Sequence, residues 1–426
     1  MRNIAIIFLI DEWNEAYSLT SIVKSQIRSL VRHGYRPRVL IYQNCSPWLF
    51  RNKVNYRPCI PQIRYDFDKD RADASFFRSV RNVAGILKEN LKDIDTVLVH
   101  DVLFFDFFLP YNLALRKAAK GLKDIRWLHW CHSGPSKPSR RGYPYSMLYK
   151  GMPNTTFISV AKAHRKGFSK MYGVPIDRVK TVYNPRTTED FLGLSALSAQ
   201  IVQKTDLLAA DIVDVVPAAI FRMSKQVEIC VYIMAALKKE GKSVRLIFVN
   251  PFGQSSGYKH VACLLHLQWL AHKVGLTDKE VFFTSELDLA LANGCPENVM
   301  KDLFSLSTIY IHPSLGEACS LTLLESAITK NLCILNKNLP TFKEIAGDDA
   351  IWIKCDNLIY GFKKAGYSLR YYYSHYVKNK AYYQRLAKKI VRHLKKDKPL
   401  SFFTKVKKEF NEDFIFETQL KPLLEE

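Results

Sequence analysis

A chain of 426 residues is too long for one typical core, so two domains are expected. A hydrophobic fraction of 48% without low-complexity stretches excludes a disordered or fibrous protein, and no apolar run approaches the ~20 residues of a membrane span. The formal charge of +23 exceeds what solubility needs and implies an anionic partner: nucleic acid, an acidic membrane surface or another polyanion.

The first apolar run, 4–10, ends in Asp11-Glu12 and is predicted as a first strand, too short for a signal peptide. The nine cysteines are scattered without a CxxC pair, which argues against a zinc site or disulfide framework and for a reducing, cytoplasmic setting. Helical spacing of Leu19, Ile22, Val23, Ile27, Leu30 and Val31 predicts a helix closed by His33-Gly34. Strands are predicted over 39–42, 96–99, 126–130 and 156–160, with helices over 76–87, 113–119 and 162–171 between and after them. Alternation of this kind argues for a parallel sheet covered by helices, whose ligands bind beyond the carboxyl ends of the strands. His100, Asp101, His129 and His132 fall at such ends and are expected to be site residues.

After Asn184-Pro185 the stretch 186–210 looks like a connector with one or two short helices. A second alternating series follows: strands over 211–216, 244–249 and 281–283, helices over 227–238, 262–272 and 296–304. Its first strand leads into Phe221-Arg222-Met223-Ser224-Lys225-Gln226, where two cations three residues apart suit a diphosphate, Arg222 as a fork and Lys225 as a point charge.

The stretch 309–350 organises the second half: strand, small-residue loop 314–320, helix, strand, loop and short helix. A small-residue loop entering a helix presents free N–H groups and a positive dipole end, which suits phosphate. Glu317 and Glu325 bracket this turn and can accept hydrogen bonds from sugar hydroxyls. Between Lys363 and Lys398 lie 12 Lys or Arg residues interleaved with tyrosines, and Leu386, Ile390, Val391 and Leu394 predict an amphipathic helix through the second half. This is expected to be a solvated basic face with its tyrosines packed on the domain, and a binding surface is the alternative.

Taken together and in chain order, VLVHD, RWLHWCHS, FISVAKAHRKGFSKMYGVPIDRVKTVYNP, FRMSKQ and PSLGEACSLTLLESA resemble the motifs of retaining glycosyltransferases of the GT-B fold, family 4. The resemblance covers most of the chain. It implies two Rossmann-like doubly wound domains facing a cleft: 1–190 on the acceptor side, completed by a C-terminal helix at 400–426 that crosses back, and 191–399 binding a nucleotide sugar.

It also implies roles. Glu317 would hold the donor sugar, Glu325 the ribose, Arg222 and Lys225 the diphosphate, supported by the backbone from Gly316 through Ala318, Cys319 and Ser320 to Leu321. His129 would meet the transferred sugar. On the acceptor side stand His100, Asp101 and His132, with Glu12, Tyr17 and Ser18 from DEWNEAYS, which replaces the family's glycine-rich first loop. Asn331 stands where the family has glycine. No metal and no resident cofactor are expected; the co-substrate is a nucleotide sugar, a UDP-sugar first. The acceptor would be a polyanion, a hydroxylated base in DNA of phage type, or alternatively a lipid-linked or cell-envelope glycan at the membrane face. A polyanion-binding relic without transfer is the non-enzymatic alternative. A cytoplasmic monomer is expected.

Overall fold

The computed structural model describes every residue except 1, 14–17, 49–51, 67–70, 137–141, 218–221, 250–256, 292–293 and 318–319, with the side chains of 257–260 also left aside. The chain divides into two compact units, Met1–Thr187 with Glu409–Glu426, and Thr188–Lys408.

The first unit is built on seven strands: β1 (Ile4–Ile7), β2 (Arg38–Tyr42), β3 (Asn55–Ile60), β4 (Thr96–His100), β5 (Arg126–Cys131), β6 (Thr155–Ser159) and β7 (Val179–Thr181). Their order is β3-β2-β1-β4-β5-β6-β7, with parallel pairing throughout. The second has β8 (Ile212–Val216), β9 (Val244–Phe248), β10 (Val281–Phe283), β11 (Ile309–His312), β12 (Leu332–Asn336) and β13 (Ile351–Ile353), in the order β10-β9-β8-β11-β12-β13, again parallel. Each order runs outward in both directions from its centre, so right-handed crossovers place helices on opposite faces of the two halves. Two doubly wound Rossmann-like sheets are therefore present. The order reverses between β1 and β4 and between β8 and β11, and those are the points where such sheets take ligands.

Three strands escaped the periodicity. The edge strand β3 carries Pro58 and is largely exposed, while β7 and β13 have only three residues each. Elsewhere burial on both faces makes the strands near-continuous apolar runs, as in IAII and VRLIF.

The helix Arg370–Lys396 is 27 residues long and begins well before the predicted segment. Tyr372, Tyr376, Tyr383, Leu386, Ala387 and Ile390 lie buried along it, and the Tyr232 hydroxyl donates to the Tyr372 carbonyl at 2.8 Å. These tyrosines are core.

The chain returns to the first unit at Glu409, whereas the sequence suggested about 400. The helix Lys398–Glu409 stays with the second unit, where Lys408 Nζ lies 2.6 Å from Asp211. Beyond it, Ile415, Phe416, Leu420, Leu423 and Leu424 complete the first core. Buried Glu412 anchors them, paired with Arg28 at 2.7 Å and accepting from Thr187 Oγ1 at 2.6 Å. No helix among the described residues is long and apolar enough to cross a membrane.

Candidate functional site

In the second unit, the carboxyl ends of β8 and β11 open onto a cavity of about 320 Å³ lined by Arg222, Lys225, Tyr310, His312, Glu317 and Leu321, among others. The opening has a structural cause. Asp214, fully buried in β8, accepts the Ile311 N–H through Oδ1 at 3.1 Å, so a side chain stands where the next ladder bond would be. Only Ile309 and Asp214 remain in register between these strands. Burial pushes the Asp214 carboxyl well above its ordinary value, which keeps it neutral in this apolar setting.

The loop after β8 is locked to the turn after β11. Leu315 N–H donates to the Ser224 carbonyl at 2.9 Å. Gln226, buried and left-handed (φ 48°), donates through Nε2 to the Pro313 carbonyl at 3.1 Å and accepts the Leu358 N–H at 2.8 Å. It is the rivet of the site, and Gln226→Ala should destabilise the second unit by about 2–4 kcal/mol because two buried backbone groups lose partners. Urea denaturation checks this.

Held in this way, Lys225 Nζ reaches Glu317 Oε1, and His312 Nε2 lies 3.3 Å from the same oxygen. The carboxylate assigns the imidazole hydrogen to Nε2. Burial keeps His312 below its ordinary pKa despite that partner. His312 and then Lys225 hold the Glu317 carboxyl down at about 2. Its ion pair therefore stabilises the fold above the ordinary carboxylate range, and that contribution is lost as pH falls from about 4.5 through about 2. Glu317→Gln should flatten the acid limb of a pH–melting profile for this unit.

The helix Leu321–Ile328 starts at the cavity. Ser320 caps it, its hydroxyl accepting the Leu323 N–H at 3.3 Å, and Tyr310 OH, Thr322 Oγ1 and Ser320 Oγ form a hydroxyl chain at 2.7 and 3.1 Å. Arg222, Lys225, Glu317, Ser320 and Leu321 are thus brought together on one wall system. Gly316 adjoins them, exposed in the loop. Glu325 is exposed on the helix and does not line the cavity. Ala318 and Cys319 lie outside the described residues. The sequence reading missed His312, Tyr310 and Gln226, although His312 was visible as the last residue before Pro313 at a strand end.

In the first unit the strand-end residues separate. His129 does not reach a surface: it is fully buried, its Nε2 accepts the Leu103 N–H at 2.8 Å, and Nδ1 lies 3.5 Å from Cys131 Sγ. Burial pulls its pKa down to about 3. His129 ties β5 to the turn after β4, and its expected contact with a sugar is corrected to this structural one. His100, Asp101 and His132 do cluster: His100 Nδ1 lies 3.0 Å from His132 Nε2, and Asp101 Oδ1 accepts the His132 N–H at 2.9 Å. Only His132 is partly exposed; His100 and Asp101 are buried. Glu12 and Ser18 are exposed, and Tyr17 lies outside the described residues. Among the described residues no group of three or more His, Cys, Asp or Glu side chains could hold a metal ion.

No family model matches the chain. Over 148 residues, 33% of this chain and 68% of the other, it is 29% identical to the ribosomal RNA small subunit methyltransferase G of Yersinia pestis. Among solved structures it is similar to a glycosyltransferase from Rickettsia africae, at 14% identity and a TM-score of 0.36 over 99% and 98% of the two chains. It is also similar to HepE of Anabaena with UDP and glucose, at 11% and 0.34 over the full length of both. Sucrose-phosphate synthase of Thermosynechococcus elongatus stands at 13% and 0.35 over 100% and 98%. Likeness at this level carries no argument about activity, which has to be read from the chain's own residues.

Proposed function

We propose that the protein is a retaining glycosyltransferase that moves a sugar from a nucleoside diphosphate, a UDP-sugar first, to an acceptor hydroxyl. The observation that carries this reading is one cavity at the sheet switch point holding two cations, an ionised glutamate and a helix start: Arg222, Lys225, Glu317 and Ser320-Leu321.

The chemistry follows from charge. Departure of a nucleoside diphosphate builds negative charge on its terminal phosphate, and groups already aimed there stabilise that charge as it develops. Arg222 and Lys225 are the cations for it, and N–H groups at the start of Leu321–Ile328 add a dipole. Glu317, ionised and steadied by His312, accepts hydroxyl hydrogens of the donor sugar. Lys225 exchanges its carboxylate partner for phosphate when the donor binds. Exposed Glu325 is the acceptor for ribose hydroxyls. Attack from the face the leaving group departs from gives retention without a covalent intermediate.

A polyanionic acceptor accords with the net charge; a hydroxylated base in DNA and a lipid-linked glycan are the two candidates. Thermal shift against UDP- and GDP-sugars, with a methyl donor as a separate arm, tests the reading. Mass analysis of DNA and lipid acceptors then follows. A shift with the methyl donor alone would favour the chemistry of the methyltransferase it partly matches. No shift with any sugar nucleotide would leave a polyanion-binding relic.

A further inference from the structure

The helix Arg370–Lys396 carries nine Lys or Arg residues and no Asp or Glu. All nine are exposed, and among the described residues none is ion-paired. At 1.5 Å per residue the row extends about 40 Å. The apolar side of the helix is already spent on the core, so its outer face is free to meet a charged surface but not to sink into a bilayer.

The amino-terminal end of this face differs in kind. Here Tyr360 (67% exposed), Tyr367 (65%), Leu369 (48%) and Val377 (51%) turn outward, with Lys363, Lys364, Arg370 and Lys378 among them. The turn that presents them is built firmly. Tyr367 is held left-handed at φ 59°, next to Gly366 at 63°, a conformation that costs a non-glycine residue of order 1 kcal/mol. A Cβ on Gly361 would come within 1.9 Å of the Tyr371 hydroxyl, so only glycine lets that ring lie against the helix Leu358–Lys364. The Tyr367 ring meets Phe362 only edge-on, at 5.5 Å between centroids, and offers most of its surface to solvent despite the strained backbone beneath it.

We propose that this face docks the second unit on an anionic lipid bilayer, the cation row on headgroup phosphates and Tyr360, Tyr367 and Leu369 in the interfacial layer. Cations combined with a few aromatic and aliphatic anchors are the two signals that peripheral attachment needs. Nucleic acid suits the surface less well. Leu369 and Val377 offer nothing to phosphates, and a straight row about 40 Å long follows a planar sheet of anions better than a backbone that winds away from it. The docking does not depend on the chemistry at the cavity.

The test is co-sedimentation of the full chain with vesicles of phosphatidylcholine alone or mixed with phosphatidylglycerol, with duplex DNA as a parallel probe. Binding should require the anionic lipid and weaken with salt. Each cation contributes about fivefold near such a surface. Replacing Arg385, Lys388, Lys389 and Arg392 by Gln together should therefore weaken binding on the order of several hundredfold. Tyr367→Gly, in which relief of the left-handed backbone offsets the lost edge contact with Phe362, should weaken it about tenfold with little change in melting temperature. Equal binding to both vesicles, or unchanged binding by the four-residue variant, overturns the proposal. Retention on DNA that this variant loses, with no vesicle binding, reassigns the face to nucleic acid.

Discussion

Glu317→Ala and Arg222→Ala are each expected to lower kcat for sugar transfer by at least about 100-fold, the scale set by removing one preorganised electrostatic group. The two should fail differently. Arg222 is exposed, so its loss removes only a cation facing the cavity. Glu317 is half-buried and binds Lys225 and His312 at once, so its loss also frees a lysine and leaves His312 with Ser320 Oγ at 3.3 Å. Glu317→Gln separates the two parts: it keeps the shape and an acceptor oxygen but removes the charge. Arg222→Ala should leave the melting temperature within a few degrees of the wild type. Glu317→Ala should lower it at neutral pH, because it deletes the partner of Lys225 and His312 whose ion pair contributes to stability there. Wild-type turnover in either variant would remove the cavity from the mechanism.

Asp101→Asn is expected to raise the stability of the first unit above neutral pH by on the order of 4 kcal/mol, at about 1.4 kcal/mol per pKa unit. Asp101 is buried in a left-handed turn (φ 57°), and burial pushes its carboxyl up to about 7. Between the ordinary value of 3.8 and about 7 the unfolded chain releases the proton and the folded one retains it, so stability falls as pH rises through that window. Three neighbours act in the opposite sense. His100, His129 and His132 are all held below the ordinary histidine value by burial, so the unfolded state gains protons first as pH drops below about 6.5. The wild-type profile sums both trends, and the difference between variant and wild type isolates the aspartate. Asparagine tolerates the left-handed backbone and still accepts the His132 N–H. Amide exchange in β4 and β5, corrected for intrinsic rates, should show no difference near pH 4 and a growing one towards pH 8. A flat difference would mean that Asp101 is ionised in the fold.

Much of the architecture could be read from residue order because each central strand is an unbroken apolar run and each helix shows a clean stripe. The same burial hid the role of His129. In a sheet covered on both faces, Trp127, His129 and Cys131 on one side and Leu128 and Trp130 on the other are all apolar or buried, so alternation cannot tell an accessible strand-end histidine from a core one. Lys225 and Glu317 were legible through charge and spacing within short loops. Gln226 was not, because its importance lies in two backbone partners, Pro313 and Leu358, that are 87 and 132 residues away. His312 needed the register of β11 to show which neighbour it would meet.

The return of the chain at Glu409 has a consequence for synthesis. A ribosome finishes all of Thr188–Lys408 before it releases Ile415, Phe416, Leu420, Leu423 and Leu424, which cover the first core. The first sheet must therefore wait, with part of its apolar surface in water, through the making of 221 residues (408 − 188 + 1). At about 5–20 residues per second that is on the order of ten to forty seconds, a window in which a nascent chain of this kind invites chaperones.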